Sequence, residues 1–179
     1  MLYAYGFERI GVLVSDLYFV DPEPLPGQEG AERGVRLEVR LLARGDLKGS
    51  IYSARPIEVA EPVWRADLLE SVDSAPGSLN RAHHHPAFDG WEPGKRVFDA
   101  GLSASPVQWV GDRLADLEGL LRQAGVQPDP SLAADAASLR ERAPEIAATV
   151  ASLLERVKAG ELATAPGGGQ LASARVSWL

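Results

Sequence analysis

All three histidines of this 179-residue chain stand side by side, in the run Asn80-Arg81-Ala82-His83-His84-His85. Imidazole titrates near neutrality, so histidine serves as general acid or base with little tuning. In an extended segment successive side chains alternate, which sends His83 and His85 one way and His84 the other. Upstream, Arg65, Asp67 and Glu70 sit in an apolar run that could lie beside the histidines; downstream, Lys95 and Arg96 follow a loop. Two chemistries fit these residue types. The first is metal-independent cleavage of a phosphodiester. RNA carries its own nucleophile, the 2′-OH, so the enzyme supplies only a base, an acid and cations for the phosphorane-like transition state. An Arg-His-His group beside Arg65 or Lys95 contains all three. The second is metal-dependent hydrolysis, with His83, His85 and Asp67 as a His/His/carboxylate ligand set. No HxxxH spacing accompanies that set, so its ligands would have to come from separate segments. The alternative to both is a solvated loop in a protein that works by binding a partner.

The order Trp64-Arg65-Ala66-Asp67, a turn, then Ser78-Leu79-Asn80-Arg81-Ala82-His83-His84-His85-Pro86 resembles the hairpin of small toxin ribonucleases of the barnase–EndoU–colicin–RelE superfamily. The resemblance spans residues 64–86. It implies a ribonuclease-like, metal-independent phosphodiesterase that needs no cofactor, with RNA as substrate. His84 would then be the base or acid and His83 or His85 its partner. Arg81 and Arg65 would stabilise the phosphate, with Asn80, Lys95 and Arg96 binding substrate. Of the second His/Lys cluster expected after the loop, only the cations Lys95 and Arg96 are present, in Trp91-Glu92-Pro93-Gly94-Lys95-Arg96-Val97-Phe98.

Composition narrows the field. The net charge is −7, which argues against coating nucleic acid through a broad basic surface but leaves room for a small basic site. There are no cysteines, so disulfides, thiolate metal sites and a cysteine nucleophile are excluded. The start of the chain lacks a basic leader followed by an apolar run, and no stretch approaches the ~20 apolar residues of a membrane span. A cytoplasmic protein without membrane attachment is the expectation.

The elements that must position the histidines read as strands first and helices afterwards, a segregated α+β order. The expectation is a mostly antiparallel sheet of four to six strands in residues 7–100, followed by two or three C-terminal helices. Both parities of residues 10–20 are partly apolar, as in a strand covered on both faces. Val35, Leu37, Val39 and Leu41 alternate with Arg36, Glu38 and Arg40, a strand with one solvated face. Residues 51–55 and 57–59 read as an extended run interrupted by Pro56, residues 63–70 as a strand, and 79–85 as a last strand. Pro106 starts a helix carrying Val110, Leu114, Leu117 and Leu121 up to Gly125. From Leu132, the positions 136, 139, 143, 146, 150, 153 and 157 form a heptad seam in which Pro144 either kinks one helix or begins another. That seam, 132–157, packs on its own sheet or forms a homodimer with a second copy. Residues 1–162 make a single α+β domain, and 163–179 a flexible Gly-rich linker and tail that could bind a protein partner. The tryptophans are scattered and read as core or loop anchors.

Overall fold

A computed structural model describes residues 1–127 and 129–165. Five strands pair antiparallel in chain order: β1 (Leu2–Gly6), β2 (Ile10–Val20), β3 (Ala31–Arg44), β4 (Ile57–Ser71) and β5 (His83–His85). A short ribbon follows, β6 (Phe88–Asp89) with β7 (Glu92–Pro93). Then come the helices α1 (Ala100–Ala104), α2 (Pro106–Ala115), α3 (Leu117–Gln123) and α4 (Pro130–Lys158). The α+β class expected from the segregated pattern is what the chain adopts.

Strand alternation gives the sheet two unlike faces. One carries Ile10, Val12 and Val14 from β2, Val35, Leu37 and Val39 from β3, and Trp64, Ala66 and Leu68 from β4. All are buried in one core with Leu102, Val110, Leu114, Leu117, Leu139, Ile146, Val150 and Leu153 of the helices. Every residue of the heptad seam is buried there. The seam therefore packs on its own domain, and little apolar surface is left on it for a second copy to cover. The opposite face of β3 carries Arg36, Glu38 and Arg40, which were expected to meet solvent. Glu38 and Arg40 are instead buried and paired with each other, because residues 86–98 extend over that side. Arg40 lies 5.4 Å from the Trp91 ring and Arg65 5.7 Å from the Phe88 ring.

Local differences from the sequence reading have local causes. Residues 51–55 form a turn rather than a strand: Ser53 N–H donates to the Ser50 carbonyl, and Ile51 and Tyr52 are 82% and 91% exposed. The β3–β4 pairing bulges around Arg40, opposite Pro62, which cannot donate to the ladder. The last strand holds only the three histidines, since residues 79–82 are turn. Asp116 breaks the expected 106–125 helix by accepting from Gly119 N–H and so capping a new helix, α3. With the one-turn α1, this makes four helices among the described residues where two or three were expected. Pro144 does not break α4, which runs continuously from Pro130 to Lys158. The strand β1 has no counterpart in the sequence reading; it pairs with β2 from Leu2 to Gly6. No helix of the described residues is long and apolar enough to cross a membrane. Ala163 is still part of the domain, buried and donating to Asp16. The linker and tail from residue 166 onward lie outside the described residues, as does Trp178.

Asp135 ties the two layers together. Its carboxylate, buried on α4, accepts from the backbone N–H groups of Glu8, Arg9 and Ile10 at 2.9, 2.7 and 2.8 Å, and so anchors the β1–β2 turn. Removing it leaves three N–H groups without their acceptor, of which that of Ile10 is buried, at about 1–3 kcal/mol for a buried group left unmade. Asp135→Ala should lower the free energy of unfolding by roughly 3 kcal/mol in urea titrations; a change below about 0.5 kcal/mol would show that water replaces the carboxylate.

Candidate functional site

The polar face centres on Asp67. Antiparallel register sets Asp67 opposite His83 and Arg65 opposite His85, with Arg36 of β3 opposite Asp67 on its other side. Because β4 alternates, Arg65 and Asp67 share this face while Trp64, Ala66 and Leu68 face the helices. The connection from β4 to β5 is held by Asn80, whose side-chain carbonyl accepts from Ser71 N–H at 3.0 Å and from the hydroxyls of Ser74 and Ser78 at 3.3 Å. Leu79 takes a left-handed conformation, φ 46°, which a branched side chain adopts only at a cost of about 1–2 kcal/mol. That turn lets Arg81 N–H reach the Leu69 carbonyl and sets the histidines in register.

Asp67 is 1% exposed, and His83 and His85 are 4% and 3% exposed. One carboxylate oxygen, Oδ1, accepts from Arg36 Nε at 2.6 Å. The other, Oδ2, is buried without a hydrogen bond. Arg65 Nε lies 2.8 Å from it, an ion pair by distance, but the N–H is not aimed at the oxygen and is itself left without an acceptor. The imidazoles complete the picture. His83 Nδ1 lies 2.8 Å from the Arg81 carbonyl, and His85 Nδ1 lies 2.7 Å from the Gly94 carbonyl. A carbonyl only accepts, so both Nδ1 atoms carry the hydrogen, and both Nε2 atoms are bare in the neutral ring. Those bare nitrogens lie 3.5 and 3.6 Å from Asp67 Oδ2.

Electrostatics keep the rings neutral. Burial pushes His83 down, with Asp67 opposing it only in part. It pushes His85 down to about 4, helped by the neighbouring Arg65 guanidinium. Burial alone would raise Asp67, but the guanidiniums of Arg36 and Arg65 outweigh it and hold the carboxyl far below the usual carboxylate range. The site is thus an ionised carboxylate facing two unprotonated imidazoles.

The other residues singled out from sequence are placed elsewhere. His84 points to the helix face, with its ring centroid 5.0 Å from that of Trp109 and 6.2 Å from that of Trp64, and is buried there. Its backbone pairs with Val97. The alternation expected of the three rings is what the strand adopts, and it separates His84 from its neighbours. Arg81 donates to the Gly27 carbonyl and lies 3.8 Å from Glu32, while Arg96 bonds Gln28 and Asp21. Both guanidiniums therefore tie residues 21–32 to the β5 side of the sheet. Lys95 is exposed. Glu70 faces the helix layer, bonded to Arg33 and Gly77 N–H. Arg65, Asp67, His83 and His85 are the four brought together. Sequence reasoning passed over Arg36, which the alternation of β3 presented as a solvated residue, and Phe88 and Phe98, whose rings lie 6.2 Å from His85 and 5.6 Å from His83.

A histidine held neutral by folding makes stability depend on pH. Between about 4 and the ordinary value of 6.5, the unfolded chain takes up a proton at His85 and the folded chain does not. The contribution is fully present above pH 6.5 and is lost as pH falls towards 4, a change on the order of 3 kcal/mol. Urea unfolding at pH 7 and pH 4.5 should show that fall in the wild type and a shallower one in His85→Gln; equal falls would remove His85 as its source.

Comparison with protein-family models, with curated proteins and with solved structures finds no match to this chain.

Proposed function

We propose that the chain binds a divalent transition-metal ion through His83 Nε2, His85 Nε2 and Asp67 Oδ2, and acts as a metal-dependent hydrolase. The observation that carries this reading is the convergence of three unprotonated ligand atoms, two of which touch the Arg65 guanidinium. Two imidazole nitrogens and a carboxylate oxygen lie within 4.8 Å of one another, with no proton to share along either nitrogen–oxygen line. Such atoms repel unless a cation stands against them, and the Arg65 guanidinium reaches His85 Nε2 and Asp67 Oδ2 but not His83 Nε2 with a hydrogen bond. Tetrahedral bonds of about 2.0–2.1 Å put ligand atoms roughly 3.3–3.4 Å apart, close to the 3.5 and 3.6 Å found here. The backbone carbonyls on both Nδ1 atoms are the partners that orient metal-binding histidines, and Arg36 on Oδ1 leaves Oδ2 to bind alone. Three protein ligands leave a position for water, the arrangement that hydrolytic zinc sites use.

The metal-independent ribonuclease reading draws support from the Arg65 guanidinium, 3.0 Å from His85 Nε2. It needs an imidazolium acid beside an imidazole base. Burial lowers all three histidines, which leaves a base without its acid at neutral pH. The metal reading needs both rings neutral.

Calorimetric titration of EDTA-stripped protein with Zn2+ and Co2+ should find one equivalent bound. His83→Ala and Asp67→Asn should each weaken it about 100-fold or more, and bound Co2+ should show the intense visible absorption of a tetrahedral site. The loaded protein should hydrolyse bis(p-nitrophenyl) phosphate, and EDTA should abolish this. Absence of binding, or binding unchanged in both variants, removes the proposal. Cleavage of RNA that persists in EDTA and disappears in His85→Ala would put the ribonuclease reading in its place.

A further inference from the structure

The guanidinium of Arg65 touches two of the three atoms that a metal would need. Its Nη2 lies 3.0 Å from His85 Nε2, and its Nε lies 2.8 Å from Asp67 Oδ2. Arginine stays protonated and has only donors to offer, so each contact occupies a lone pair. The second contact is poorly aimed, leaving both Nε and Oδ2 without a proper hydrogen bond. The guanidinium is held in place by position and charge more than by directed bonds. Beside it stands the Phe88 ring, 5.7 Å from Cζ, an aromatic face on which a displaced guanidinium can rest.

We infer that Arg65 is a built-in competitor for the metal, an internal cation that neutralises Asp67 in the metal-free protein and must leave the His85–Asp67 edge when an ion binds. This inference rests on the metal reading of the site and adds a specificity-determining residue to it. Two cations cannot share the same lone pairs, and a divalent ion with coordinate bonds to three ligands displaces one that makes a single good hydrogen bond. The consequence is a threshold. The wild-type site discriminates against cations that bind weakly, because each must first overcome the arginine. Arg36 does not take part in the exchange, since it holds the other carboxylate oxygen and remains compatible with an ion on Oδ2.

Titration of wild type, Arg65→Gln, Arg65→Lys and His83→Ala with Zn2+ separates the two claims. Arg65→Gln removes the competing charge and should bind about tenfold tighter or more; Arg65→Lys, which keeps the charge on a shorter reach, should fall between. Binding in wild type with an unchanged Arg65→Gln affinity overturns the inference and leaves the metal reading standing. No binding in wild type and in Arg65→Gln, or binding that survives His83→Ala, overturns the metal reading itself. Should Arg65→Gln fail to fold, judged by circular dichroism, the wild-type protein decides. The Arg65 Nε–H signal in a 15N-correlated spectrum should shift on addition of one equivalent of Zn2+ while the Arg36 signal keeps its position. An unmoved Arg65 signal at full occupancy contradicts the displacement.

Discussion

A carboxylate without water is the constraint around which this protein is arranged. Asp67 is ionised and 1% exposed, and an ion of that kind is tolerated only with cations and donors in place around it. The cations are Arg36, from the strand on one side, and Arg65, two residues back on the same strand, while the neutral rings of His83 and His85 come from the strand on the other side. The antiparallel order β3-β4-β5 is therefore what makes the site, since it sets Arg36 on one side of Asp67 and the two imidazoles on the other. Removing a single partner from such a group typically costs 3–5 kcal/mol, so the network resists piecemeal change.

The sheet meets that demand by giving its two faces to different chemistries. The helices cover one with apolar side chains and make the domain stable. The other is roofed by residues 86–98, whose aromatic rings lie over Arg40, Arg65, His83 and His85. Burial under that roof withdraws the water that would otherwise solvate protonated rings and screen the carboxylate, and the same burial strengthens every charge interaction beneath it. The apolar and polar layers are joined by one strand, β4, which contributes Trp64, Ala66 and Leu68 to the first and Arg65 and Asp67 to the second.

Much of this could be read from residue order. Alternation along 63–70 placed Arg65 with Asp67, and alternation along 83–85 paired His83 with His85 and separated His84 from them. The heptad spacing of 132–157 identified a buried helix face, and the segregation of strands from helices gave the α+β class. The remainder depended on what lies above each element. Arg36, Glu38 and Arg40 alternate as a solvent-facing row does, and nothing local to β3 reports that a later segment will cover them. His84 looked equivalent to its neighbours until the helix layer set Trp64 and Trp109 against it. Asp135, three residues beyond the seam's first leucine, carries no pattern that distinguishes it from a surface acid, because its partners are backbone N–H groups 125–127 positions away. Arg81 and Arg96, chosen as phosphate ligands for their charge, are taken up by the 21–32 segment.

The central claim is that His83 and His85 each hold their hydrogen on Nδ1 and turn a bare Nε2 towards Asp67. Long-range 1H–15N correlation of the imidazole nitrogens, recorded on metal-free protein at pH 7, measures this directly. Both rings should appear as the neutral Nδ1–H form, with Nε2 at the shift of an unprotonated nitrogen. A hydrogen on Nε2 of either ring, or a doubly protonated ring on either residue, would contradict it.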